Sequence, residues 1–191
     1  MKKLTAFILC VLLLFLSIGC PAESASDDTE VPTFGLKAGM SLDEIREIIT
    51  ALGFTCVDED SGTDEAGMAY FSITFTGDVM LFGFPVSLMS AGMQSDGDML
   101  TLHYHFYSAE YTNPYGRDYG ELLRHENIDN VYTKLYEAMD DSYERYPSVD
   151  RTRWQEGLKT YDLDKGRSSP GHPATFVRLT VTSFEKAEDP E

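Results

Sequence analysis

Residues 68–107 run MAYFSITFTGDVMLFGFPVSLMSAGMQSDGDMLTLHYHFY, and alternation governs most of the stretch. Phe71, Ile73 and Phe75 alternate with Ser72, Thr74 and Thr76, the period of a strand with one buried face. Gly77-Asp78 suits a tight turn into a strand over 79–82. Pro85 lacks a ladder N–H, so 84–93 is either an edge strand or one that starts at the proline. Ser95-Asp96-Gly97-Asp98 supplies the next hairpin turn. Beyond it Leu100, Leu102, Tyr104 and Phe106 point to one side and Thr101, His103, His105 and Tyr107 to the other. Hairpins in succession predict a mostly antiparallel sheet.

Upstream, FGLKAGMSLDEIREIITALGF (34–54) predicts a helix over 41–52. Ser41 is placed as N-cap, Glu44 completes a capping box, and Met40 with Ile45 forms a hydrophobic staple. Leu42, Ile45, Ile48, Ile49 and Leu52 share one face, and Gly53 supplies the left-handed stop. Cys56 falls in a strand over 55–57 and reads as a buried, inert thiol. Downstream, a tyrosine-rich connection (108–120) leads to a second helix over 127–146. There Ile128, Val131, Leu135, Met139 and Tyr143 recur at helical spacing and Pro147 ends the run. Two further strands, 153–161 and 174–184, flank a loop over 164–173. The order predicts an α+β fold, a mostly antiparallel sheet with two amphipathic helices packed on one face.

The phrase GMSLDEI, with Gly39, Met40, Ser41, Glu44, Ile45 and the closing Gly53, resembles the opening of the SmpA/OmlA (BamE-like) and beta-lactamase-inhibitor-like envelope proteins. The resemblance implies a small exported α+β module that binds other proteins.

The amino terminus carries an export signal. Lys2 and Lys3 precede the apolar run Ala6 to Leu16, which is too short to span about 30 Å of hydrocarbon as a helix. Its close, LSIGC, resembles the lipobox of bacterial lipoproteins, which implies a lipid on Cys20 and a membrane held by that lipid. The alternative is an ordinary secretory signal cleaved nearby. With Cys10 removed and Cys20 acylated, Cys56 has no partner for an internal disulfide. Residues 21–32, PAESASDDTEVP, are small, polar and acidic and read as a tether. The division expected is therefore a signal at 1–20, a tether at 21–32, one domain at 33–185 and a frayed tail at 186–191.

Of 191 residues, 32 are acidic and 15 basic, a net charge of −17, which excludes nucleic acid as a partner. The imbalance is concentrated, because Glu47 to Gly116 contains no Lys or Arg. A one-signed face of that kind either steers a basic partner or only keeps the protein soluble. Asp58, Glu59 and Asp60 are its densest point and the candidate contact. The segment 58–65 departs from an EF-hand loop, since Ala69 stands where the loop needs a bidentate Glu, and it reads as a solvated strand-to-strand loop.

His103 and His105 share a strand face, which admits a metal pair with Glu110 or His125 as a third ligand, or a surface pair with mildly pH-dependent charge. No cofactor is implied. GxSxG, SxxK, HExxH, CxxC and Walker motifs are absent. Tyr104, Tyr107, Tyr111, Tyr115 and Tyr119 crowd one strand end and its loop, as a binding surface or as cover for the sheet edge. The expectation is a lipid-anchored, non-catalytic protein-binding module outside the cell. The alternatives are an inhibitor or immunity-type protein occluding a basic enzyme or toxin, and a small metal-dependent hydrolase at His103 and His105.

Overall fold

A computed structural model describes residues 30–63, 65, 67–94, 97–113, 117–148, 152–167 and 174–186. The expected signal, Cys20, most of the expected tether, Tyr115 and the residues beyond Lys186 lie outside them.

Helix α1 (Leu42–Ala51) is followed by β1 (Thr55–Thr63) and β2 (Ala69–Thr76), then the short hairpin β3 (Met80–Leu81) and β4 (Phe84–Pro85). β5 (Leu88–Gln94), β6 (Leu100–Ser108) and β7 (Arg124–His125) precede α2 (Ile128–Ser142). The chain ends in β8 (Glu144–Arg145), β9 (Thr152–Glu156), β10 (Lys159–Gly166) and β11 (Phe176–Ser183). One sheet is laid out in the order β1-β2-β5-β6-β11-β10-β9-β8, with β7 beside the end of β6. Every neighbour pair along that path is antiparallel, and β6–β7 is parallel. Sheet dominates over helix.

Read from either edge the sheet repeats a plan: a helix, then four strands in sequence toward the centre, where β6 meets β11. The helix starts share it too. Ser41 accepts from the Glu44 N–H and Asn127 from the Asn130 N–H. Each cap is followed by an apolar residue, an Asp, and apolar residues at the fourth and eighth positions: Ile45 and Ile49, Val131 and Leu135. All four are buried in the core.

α1 packs on β1 and β2, and α2 on β6, β10 and β11. The sheet face beneath them carries Ile73, Phe75, Leu100, Leu102, Phe106, Val177 and Leu179, all buried. Trp154 is fully buried there and its indole N–H reaches Asp140 of α2 at 2.8 Å. Burial of this aliphatic and aromatic area is the main favourable term in folding.

Several expectations need correction. The acidic stretch 58–63 is not a loop; it continues β1, paired with β2 through Thr63↔Ala69. Cys56 is exposed on this edge strand. α2 stops at Ser142, short of Pro147, because Tyr143 turns extended and Arg145 pairs with Trp154. The expected strand 153–161 is a hairpin broken at Gly157 (φ +56°), and β10 runs on to Gly166. The structure thus has three strands here, not two. Val31 is 1% exposed and its N–H donates to the Tyr143 hydroxyl at 3.0 Å, so the end of the expected tether belongs to the core. Among the described residues no helix is long and apolar enough to cross a membrane.

Candidate functional site

Among the described residues, the other face of the sheet carries no helix. Because cross-strand partners share a face, the registers define a row across it: Asp58, Thr74, Ser90, His103, Thr180, Asp162 and Arg153. Beside it run Leu88, His105, Arg178 and Asp164. Polar side chains of β6, β11 and β10 are therefore gathered at the middle of the sheet.

An Arg–Asp pair closes each end of the long row. Arg153 grips Asp162 through two nitrogens at 2.7 and 2.8 Å, and the Asp162 side chain is only 7% exposed. At the far end Arg117 pairs with Asp58 and, at 3.3 Å, with Asp60. At the centre His103 Nδ1 meets Thr180 Oγ1 at 3.0 Å. Arg178 Nη2 reaches Asp164 at 3.1 Å, while its Nε is shielded and has no hydrogen-bond partner among the described residues.

A column of rings rises along β6. His105 stacks on Tyr107 (centroids 5.7 Å) and Tyr107 on Tyr111 (4.0 Å), with the Arg124 guanidinium 5.5 Å from the Tyr111 ring. The described parts of the connection, 109–113 and 117–123, thereby form a strap: Tyr111 sits on the β6 column and Arg117 reaches β1. At the sheet's margin Phe176 lies across Gly166, where any added Cβ would meet the ring at 2.1 Å.

Burial holds the His103 imidazolium form down to a pKa of about 4, and the Arg178 charge adds to the effect. His105 is held down to about 3, by burial first, then by His103 and Arg178. Burial likewise raises the Tyr107 phenol, with Tyr111 reinforcing it. The centre of the face is therefore lined at neutral pH by uncharged rings and by Arg153 and Arg178, each paired with a carboxylate.

The histidines do lie on the open face, but desolvation makes them a neutral pair, which corrects the expectation of a mildly titrating surface pair. His125 is on the opposite side, against Phe84 and Phe106, and so stands apart from them. Among the described residues no three His, Cys, Asp or Glu side chains converge as a metal site. Tyr104 faces the helices, 1% exposed, with its hydroxyl donating to the Pro32 carbonyl. Its place on the covered side removes it from any binding surface. Tyr107 is also buried, under Tyr111, which is left half-exposed.

Asp58 and Asp60 point to the open face, whereas Glu59, one residue out of phase, points away and is gripped by Arg46 at 2.7 Å through two nitrogens. The three carboxylates cannot converge on one cation. Arg46 and Arg117 are the two basic residues that bracket the stretch without Lys or Arg, and the fold returns both onto β1. That offsets the charge on which the acidic contact was expected to rest.

Arg178, Thr180, Asp164, Asp162 and Arg153 escaped the sequence reading. A signal existed: in TFVRLTVT (175–182) Arg178 occupies the same phase as Thr180 and Thr182, so an apolar strand has a charged outward side. Compared with protein-family models, curated proteins and solved structures, the chain matches none.

Proposed function

We propose that this chain is an α+β lipoprotein, delivered by residues 1–20 and held by a lipid on Cys20 at the outer side of the cell membrane. Its folded body binds another protein through the open sheet face and performs no chemistry of its own. The observation that carries the reading is the one-sided sheet, with two helices on one face and a row of polar and aromatic side chains on the other. A polar face built from rigid strands holds its groups in fixed register, which suits recognition. Histidines titrating near 4 and 3 are poor general bases at neutral pH, where an effective base titrates close to the working pH. The resemblance of GMSLDEI to envelope modules points the same way. Residues 21–29 would give the body a reach of at most about 30 Å from its anchor.

Occlusion of a basic enzyme by Asp58, Glu59 and Asp60 is less well supported, because Arg46 and Arg117 already answer those carboxylates. Two experiments test the proposal. A photo-crosslinking residue placed at Thr182 on the open face should yield a discrete adduct in intact cells, and the same probe at Glu47 on α1 should not. Equal labelling from both positions would defeat the assignment of the face. Cys20→Ala should release the protein from the membrane fraction; retention there would defeat the anchor.

A further inference from the structure

Negative charge without an internal partner lies away from Asp58, Glu59 and Asp60. A groove of about 570 Å³ opens beside the ends of β1 and β2, with the β3–β4 hairpin as one wall and the strap's return, Glu121 and Leu123, as another. Met80 and Leu123 line it and are 50% and 42% exposed, large apolar side chains the fold leaves in water. Asp78 and Glu121 line it too, both exposed. Neither has a hydrogen-bond or ion-pair partner among the described residues, and no Lys or Arg lines the groove. The hairpin wall is fixed by its turn: Phe82 (φ 49°) and Gly83 (φ 83°) are both left-handed, as a two-residue hairpin loop requires, and Phe82 packs against the core. Thr76, which shares the phase of Thr74 on β2, brings the groove to the margin of the open face.

We infer that this groove anchors the partner protein, and that it receives an exposed segment carrying a Lys or Arg beside an apolar side chain. The cation meets Asp78 and Glu121, and its apolar neighbour covers Met80 and Leu123. Charge complementarity selects this occupant. An acidic or uncharged segment would desolvate two carboxylates without compensating them. A second copy of this chain, at a net charge of −17, would be repelled. The inference rests on the reading of the chain as a protein-binding module and adds the chemistry of the contact.

The test uses the full chain in zwitterionic phosphatidylcholine nanodiscs and a fluorescent octapeptide with two lysine–leucine pairs in a glycine–serine background. A control peptide carries glutamate in place of lysine. Fluorescence anisotropy should show saturable binding of the lysine peptide only, weakened at least tenfold in Asp78→Asn/Glu121→Gln and unchanged in Glu137→Gln/Asp141→Asn on α2, which removes as much charge away from the groove. The charge-reversed Asp78→Lys/Glu121→Lys should bind the glutamate peptide instead, a gain that an unfolded variant cannot give. No binding of the lysine peptide up to millimolar concentration, equal binding of both peptides, or equal loss in the Glu137/Asp141 variant would overturn the inference. Adducts at Thr182 that persist despite such a result would leave the protein-binding reading standing and remove only the groove.

Discussion

Along β6 the two faces of the sheet differ residue by residue. Leu100, Leu102, Tyr104 and Phe106 sit in the core beneath the helices, at 2% exposure or less. Thr101, His103 and His105 sit half-covered on the other side, where neighbouring strands supply Thr180, Arg178 and Asp164. The covered face is held by apolar area and close packing, which tolerate no loss of volume. On the open face, polar groups partner one another across strands. Strand geometry, with its period of two, thus separates the groups that stabilise the protein from those available to recognise something.

The largest expected effect tests that separation directly. Leu102→Ala should cost about 2–5 kcal/mol, the range for truncating a buried aliphatic side chain. Thr101→Ala, one residue away on the open face, should cost about 0.5 kcal/mol or less. Denaturant midpoints of the two variants measure the contrast, and similar losses would collapse it.

Acidification should have an effect of similar size. Both histidines have folded-state pKa values below the 6.5 of an unperturbed imidazole, about 4 for His103 and about 3 for His105. Between those values and 6.5 the unfolded chain binds protons that the folded chain refuses. Their contribution is therefore complete above pH 6.5 and is lost as pH falls toward 4 and then 3, by about 1.4 kcal/mol per pH unit for each histidine at most. Unfolding free energies from pH 7 to 4.5 should fall more steeply for the native chain than for His103→Asn/His105→Asn. Parallel curves would mean that water reaches the imidazoles.

Asp162→Ala should cost about 1–3 kcal/mol, because it strips Arg153 of both hydrogen bonds at a half-buried site. Should chemical denaturation show no change, the Arg153 end of the row is solvated. The smallest effect belongs to the strap. Arg117→Ala breaks ion pairs whose side chains are 28–43% exposed and should change stability by about 1 kcal/mol at most. Amide exchange over residues 117–123 should nevertheless quicken; unaltered exchange there would show that stacking of Tyr111 alone holds the strap.

What could be read in the sequence follows the same division. The core side of β2 and β6 was visible because alternation of Phe71, Ile73 and Phe75, or of Leu100 to Phe106, records a boundary between two environments. The cap of α1 was visible because Ser41 and Glu44 bond within four residues. β1 was hidden beyond Val57, since an edge strand exposed on both sides, DEDSGT, has no apolar side to betray it. The open-face site was half visible: His103 and His105 stood out as rare residue types, but nothing local indicates that Arg178 and Thr180 lie across from them. The neutrality of the histidines was hidden as well, because desolvation is set by the strands and strap around them.

By itself the sequence determined the local periods, the helix starts and which side of each central strand is apolar, since all of these come from contacts a few residues apart. Only the tertiary structure decided that β6 would lie against β11, that Arg46 and Arg117 would both return to β1, and that Val31 would close the core. Those pairings join residues far apart in the chain. They are chosen by the shape and charge of the whole assembly, which no single stretch of sequence contains.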